Sequence, residues 1–165
     1  MSEAGSGADA STVTITPAGG PEDIGHVRAL FREYARELNV SLCFQGFEEE
    51  LAELPGKYAP PDGALLLARV GGEVAGVVGL RPLGDGVCEM KRMYVRPPFR
   101  GTGAGRLLAE RIVAIGREAG YHSMRLDTLG KLTAARALYE RLGFREIPAY
   151  YHNPLDGVLY YEKTY

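Results

Sequence analysis

Tryptophan is absent from this chain and cysteine occurs only twice, at Cys43 and Cys88. Each thiol stands alone, in neither a metal nor a redox spacing, so free buried thiols in a reducing compartment are expected. His26, His122 and His152 share no ligand spacing either, and no metal site is expected. Missing too is any apolar run long enough to span a bilayer. The first residues, 1–11, carry no basic or apolar block of a secretory signal. The expectation is a cytoplasmic protein with no membrane partner. A formal net charge of -2 argues against general nucleic-acid binding.

What is present suits one folded domain. The 165 residues can bury a core without disulfides. Residues 1–11 are small and polar and read as a disordered lead-in, leaving 12–165 as the domain. Val13 and Ile15 predict a short strand, stopped by Pro17 and Gly19-Gly20. A helix is expected from Pro21, with Val27, Leu30, Phe31, Tyr34 and Leu38 on one face. A shorter helix over 47–54 ends near Pro55-Gly56. Ala64 to Val70 and Glu73 to Leu80 form a hairpin through Gly71-Gly72, and Val87 to Val95 is a third strand. After the glycine-rich turn come a helix of about four turns, a strand at 123–126, a helix at 133–142 and two final strands at 144–147 and 158–163. Hairpins early and strand-helix-strand units later imply a mixed sheet.

The segment Arg100-Gly101-Thr102-Gly103-Ala104-Gly105 carries the chemistry. Small residues let a main chain approach a ligand closely, and the helix that starts there presents unpartnered amides at its positive end. Lys91, Arg92, Arg96, Arg100, Arg106 and Arg111 face only Glu110 within the same stretch, which predicts a basic ridge suited to a polyanion. A plain tight turn is the bland alternative. A dinucleotide site is the sharper rival, with Asp127 about twenty residues on, but GxGxxG from Gly101 requires glycine where Arg106 stands. From Gly103 it fails at Leu108. No Gly-Lys-Ser/Thr follows, so this is not a P-loop.

The run Val95-x4-Arg100-x-x-Gly103-x-Gly105 resembles the cofactor motif of the GNAT N-acetyltransferase superfamily, and AARALYERLGF, with Ala135, Leu138, Tyr139, Leu142, Gly143 and Phe144, resembles its second block. The similarity covers roughly Thr12 to the C-terminus. It implies an α/β (α+β) fold: a single domain with a mixed, largely antiparallel sheet and helices on both faces. It also implies acetyl-CoA as co-substrate and no metal. Main-chain groups of Met93, Tyr94 and Val95 would hold the pantetheine arm. Arg100, Gly101, Thr102, Gly103, Ala104, Gly105 and Arg106 would cradle the pyrophosphate. Many relatives carry asparagine where this chain has Thr133, whose hydroxyl either contacts the cofactor or caps the helix.

Tyr139 matches the family's general acid, and a phenol of pKa about 10 can protonate a thiolate. The alternative is a ring packed on the helix face. Glu89 lies eleven residues before Arg100, where histone-modifying members carry a catalytic glutamate. An ammonium acceptor must lose a proton before it attacks, and a carboxylate in a cleft can take it. The alternative is a surface ion pair with Lys91 or Arg92. Tyr150 and Tyr151 are candidate acceptor-site residues or edge-strand aromatics at a dimer contact, and Phe44 and Phe47 are candidate walls or core. Asp127 is read as ending its strand. The resulting expectation is acetyl transfer to a primary amine of a small molecule by direct attack, in a chain that could pair as a homodimer. A protein N-terminus or lysine, or a non-catalytic acyl-CoA-binding role, is the alternative.

Overall fold

The computed structural model describes residues 12–39, 42 and 45–165. Strand β1 (Val13–Pro17) is followed by helices α1 (Gly20–Leu38) and α2 (Phe47–Glu53). Three strands come next, β2 (Ala64–Val70), β3 (Glu73–Gly84) and β4 (Val87–Val95). Helix α3 (Ala104–Glu118), strand β5 (Ser123–Leu129) and helix α4 (Thr133–Arg141) lead to β6 (Arg145–Ile147) and β7 (Val158–Thr164). The seven strands form one sheet in the order β1-β2-β3-β4-β5-β7-β6. Only β4 and β5 run parallel. The fold is thus the expected mixed, largely antiparallel sheet.

Local signals explain the elements. Pro21 sits in the first turn of α1, and Asp23 accepts the Gly19 N–H at 2.9 Å, closing the helix start. Gly71 and Gly72 both take positive φ, 59° and 86°, as the two-residue β2–β3 turn requires. Strand β2 shows why the sheet needs helices on both faces. Leu66 and Ala68 face one core with Leu108 and Ile112 of α3, while Leu65 and Leu67 face another with Leu30 and Phe31 of α1. Each of Leu108, Ile112, Leu30 and Phe31 is fully buried. Truncating any of them to alanine would cost about 2–5 kcal/mol.

Two strands run further than the sequence suggests. β3 continues past Leu80 to Gly84, forming a second hairpin with β4 in which Arg81 stands opposite Glu89. Pro82 hides that extension, but the ladder tolerates it beside an irregularity at Leu83. β5 continues past Leu126 to Leu129, because β7 pairs with it along its full length. Asp127 therefore lies within the strand, opposite Tyr160, and does not end it.

Candidate active site

The site is built where β4 leaves β5. The two strands pair only at Val87↔Ser123, Cys88↔Met124 and Glu89↔Arg125. Beyond Glu89 the partners of β4 lie on β3 alone, and there Arg92 and Met93 stand opposite the single residue Val78. This is a β-bulge, which bends and twists the strand that carries it. Arg92 takes φ +60°, a conformation that costs an L-residue about 1–2 kcal/mol. It is held by two hydrogen bonds to Glu50, at 2.9 and 3.1 Å, and by the ring of Phe47, 5.2 Å from its guanidinium. Phe47 is buried in the α1/α2 core.

The wedge between the parting strands is lined by Met90, Met93, Leu126, Thr128, Ala135 and Tyr139, with Lys91 and Asp127 at its other side. The Tyr139 ring packs edge-on against Phe144, at 6.0 Å, and is 5% exposed. Among the described residues its hydroxyl makes no hydrogen bond. Burial pushes its pKa up, so the phenol keeps its proton well beyond neutral pH. Arg96 donates its N–H to Ala75 on β3 at 2.8 Å, and the Tyr94 carbonyl oxygen lies 2.8 Å from where a Cβ on Gly76 would stand. By strand alternation, the main-chain groups facing the wedge are those of Met93 and Val95 and not of Tyr94. The Val95 carbonyl there accepts from Arg100 Nε at 3.0 Å. Tyr94 instead places its ring against Tyr34 in the second core, 6.4 Å between centroids.

The glycine turn stands at the open end of this wedge. Gly101 and Gly103 have φ of +85° and +92°, which only glycine adopts without strain, and Gly103 is the N-cap of α3. A Cβ on Gly101 would meet nothing within 4 Å, so the turn faces open space. Thr102 braces it by donating its hydroxyl to Phe99 O at 2.6 Å. Ala104 is buried, and Gly105 packs α3 closely over Met93 and Val95. Amides at a helix start, a turn without Cβ atoms and an uncovered surface together fit a pyrophosphate.

The basic ridge does not survive folding. Arg96 is paired with Glu33, Arg100 with Glu37, Arg106 with Glu110 and Arg111 with Glu118. Lys91 and Arg92 are buried, at 4% exposure each. A window of sequence counts only neighbouring charges, whereas α1 and α2 bring Glu33, Glu37 and Glu50 from elsewhere. The attraction for an anion at the turn therefore rests on main-chain amides more than on a surplus of cations.

A second cleft, of about 270 Å³, is lined by Gln45, Arg81, Leu83, Glu89, Lys91, Tyr150, Tyr151 and His152. Glu89 is 1% exposed, so it is no surface residue. Its partners are neither Lys91 nor Arg92. Arg81, across the hairpin, donates to it at 2.9 Å, and Tyr150 donates its hydroxyl at 2.6 Å. Tyr150 and Tyr151 belong to the segment between β6 and β7 that returns over the cleft, and not to an edge strand. The Tyr151 hydroxyl donates to Asp127, whose carboxylate stands 4.0 Å from the Lys91 ammonium. Lys91 also donates to Gln45 Oε1 at 3.1 Å. Burial pushes the Lys91 pKa down, against the opposing charges of Glu89 and Asp127.

Gln45 and Arg81 carry no reading from the sequence, while Lys91 reads there only as part of the basic stretch or as an ion-pair partner and Asp127 only as a strand end. For Arg81 a signal existed, since the turn Gly84-Asp85-Gly86 fixes the register that sets it against Glu89. The others come together only through the fold. Thr133 is exposed as the first residue of α4, where Leu132 is the N-cap and no side chain caps the helix. It does not serve as a cap. Phe44 and Cys43 lie outside the described residues. Cys88 is fully buried, and desolvation pushes its thiol up to about 12, so it is inert. Among the described residues no His, Cys, Asp and Glu group could hold a metal ion, and no helix is long and apolar enough to cross a membrane.

Comparison with known proteins agrees with this architecture. Residues 27–144 match the model of the acetyltransferase (GNAT) family. An uncharacterized N-acetyltransferase of Schizosaccharomyces pombe is 42% identical over 152 residues, covering 91% of this chain and 93% of that protein. The N-acetylaspartate synthetase of Rattus norvegicus is 31% identical over 132 residues, covering 79% of this chain and 44% of the synthetase. Among solved structures, the PaiA N-acetyltransferase of Thermoplasma acidophilum in complex with coenzyme A superposes with a TM-score of 0.70 at 18% identity, covering 93% of this chain and 99% of that one. That last likeness concerns the fold. The two diverging strands, the glycine turn at their open end and the family match over most of the sheet agree: the chain belongs to the GNAT family and is an acetyl-CoA-dependent N-acetyltransferase.

Proposed function

We propose that this enzyme transfers the acetyl group to a primary amine of a small molecule, by direct attack while both substrates are bound. When bound, acetyl-CoA supplies the thioester whose carbonyl is attacked. The amides at the start of α3 hold its pyrophosphate, with Gly101 and Gly103 giving the approach. Met93 and Val95 turn their main chain toward the wedge that takes the pantetheine arm. Tyr139, protonated and without a hydrogen-bond partner among the described residues, donates to the leaving sulfur.

The observation that carries this reading is that Lys91 lines both the wedge, with Tyr139, and the second cleft, with Glu89. We read Lys91 as the junction of the two clefts, with Tyr139 and Glu89 on either side of it. An incoming amine gives up its proton there to Glu89, through Tyr150. The Tyr150 oxygen accepts from the amine as its own proton moves along the existing bond to Glu89. Arg81 holds the carboxylate in place for that transfer. No cysteine faces the junction among the described residues, which agrees with direct attack.

A small acceptor is favoured over a protein by the size of the cleft, about 270 Å³, one wall of which is formed by Tyr150, Tyr151 and His152. The synthetases among the relatives, named for N-acetylaspartate, carry a small acetylated product in their name. Release of the CoA thiol, followed over a panel of small primary amines and of peptides with free N-terminal or lysine amines, tests the reading. The expected result is turnover with at least one small amine and higher kcat/KM for it than for any peptide. Turnover confined to peptides overturns the acceptor class, and tight CoA binding with no turnover at all overturns catalysis.

A further inference from the structure

The second cleft contains an ammonium that the chain itself leaves underused. Lys91 is 4% exposed, yet its nearest carboxylate oxygen, on Asp127, is 4.0 Å away, at the limit of an ion pair. That same oxygen already accepts the hydroxyl of Tyr151. The one hydrogen bond that Lys91 makes among the described residues is to Gln45 at 3.1 Å. A lysine ammonium carries three donors, so among the described residues it has donors to spare, and it lines the cleft. The neighbouring cations differ. Arg81 is taken up by Glu89 and Arg92 by Glu50, each at 2.9 Å.

We propose that Lys91 anchors a carboxylate of the acceptor, and that the acceptor is an α- or β-amino acid. This rests on the small-amine reading of the same cleft. Three observations bear on it. A buried cation with unmet donors is costly unless an anion completes it, and a bound carboxylate does so. Lys91 also stands at the junction of the two clefts, so a carboxylate held there keeps the reacting nitrogen only one or two carbons away. Finally, Glu89 and Lys91 lie two residues apart on one face of β4. At roughly 3.3 Å rise per residue their side chains start about 7 Å apart. The amine and carboxylate of an amino acid span that gap once each adds a hydrogen bond.

Charge argues the same way. An acceptor bearing only positive groups would approach Lys91 against repulsion, whereas a zwitterion brings its own counter-charge. Burial, which pushes the Lys91 pKa down, is reversed by an arriving carboxylate, so anchoring and protonation of Lys91 support each other.

The test compares matched acceptors: a set of α- and β-amino acids against their carboxamides, assayed by CoA release with the intact enzyme. In the native chain, the acid of the best pair is expected to exceed its amide by 50-fold or more in kcat/KM, mostly through KM (about 2–3 kcal/mol for a charged hydrogen bond). In Lys91→Met that ratio should fall to within threefold, and Lys91→Arg should restore part of it. The ratio is taken within each variant, so a partly folded preparation does not affect it. If Lys91→Met cannot be purified, the native ratio decides alone. Native enzyme that turns over amides as well as acids overturns the anchor while leaving the small-amine reading intact. A large ratio that survives Lys91→Met places the anchor elsewhere and overturns it too. Turnover of peptides only overturns both.

Discussion

The two halves of the cleft are made of different material. On the cofactor side the ligand-facing groups are main-chain amides and glycines, arranged by the start of α3 and by the parted strand β4. On the acceptor side they are side chains from four separate places: Gln45 before α2, Arg81 on β3, Glu89 and Lys91 on β4, and Tyr150 and Tyr151 after β6. A main-chain cradle carries no titratable group and is fixed by backbone conformation. A side-chain network titrates, can be edited one residue at a time and decides which amine enters. Binding of the shared co-substrate and choice of acceptor are thereby separated in one small domain.

Substitutions can break that separation or sharpen it. The largest effect is expected for Gly103→Glu. A side chain at φ +92° adds strain of about 1–2 kcal/mol, and a carboxylate at the helix start opposes a pyrophosphate. CoA affinity measured by calorimetry should fall on the order of 100-fold or more, each tenfold corresponding to about 1.4 kcal/mol. Affinity within threefold of the native value would mean that the cradle is elsewhere.

Glu89→Gln belongs to the other half. It should lower kcat by about 100-fold while leaving CoA affinity within twofold. With no carboxylate to take the proton, the amine must shed it to solvent, so the rate should peak at higher pH than in the native enzyme. An unchanged pH profile would remove Glu89 from the base role.

Tyr139→Phe should have the smallest effect. Loss of the proton donor should reduce kcat by about 10- to 100-fold, with Tm moving by no more than about 2 °C. Among the described residues the hydroxyl has no partner to lose, so its removal leaves nothing there unsatisfied. A large drop in Tm would show that Tyr139 serves the core and not the leaving group. In the native chain its raised pKa places any loss of rate by its ionisation above the normal tyrosine range, so the acid remains competent as pH rises through neutrality.

The difference between the halves also sets what the sequence reveals. The glycine turn is a contiguous run whose spacing is the signal, and helix, hairpin and strand periods around it are strong because every one of them feeds a two-sided core. The acceptor half is scattered over more than a hundred residues, and its members have ordinary local readings. Lys91 and Arg92 look like part of a surface charge run until α2 covers them and supplies Glu50. Asp127 looks like a strand end because aspartate is poor in strands. It persists mid-strand because β7 continues the ladder and Tyr151 satisfies its carboxylate. Glu89 was legible as a functional candidate, yet its partner Arg81 was hidden by Pro82, which masked the hairpin that pairs them.

The bulge at Arg92 makes the length of β4 as consequential as its composition. One surplus residue puts Glu89, Lys91 and Tyr94 on the same side of the sheet, although regular alternation from Glu89 would send Tyr94 to the other. Exchanging a residue in this strand alters one contact. Deleting that surplus residue would leave Glu89, Lys91 and Tyr94 on one side, because residues four apart in a regular strand already share a face, but it would remove the bulge that bends β4 away from β5. The strand thus carries its extra residue for the bend that opens the wedge, and not for the side on which its neighbours stand.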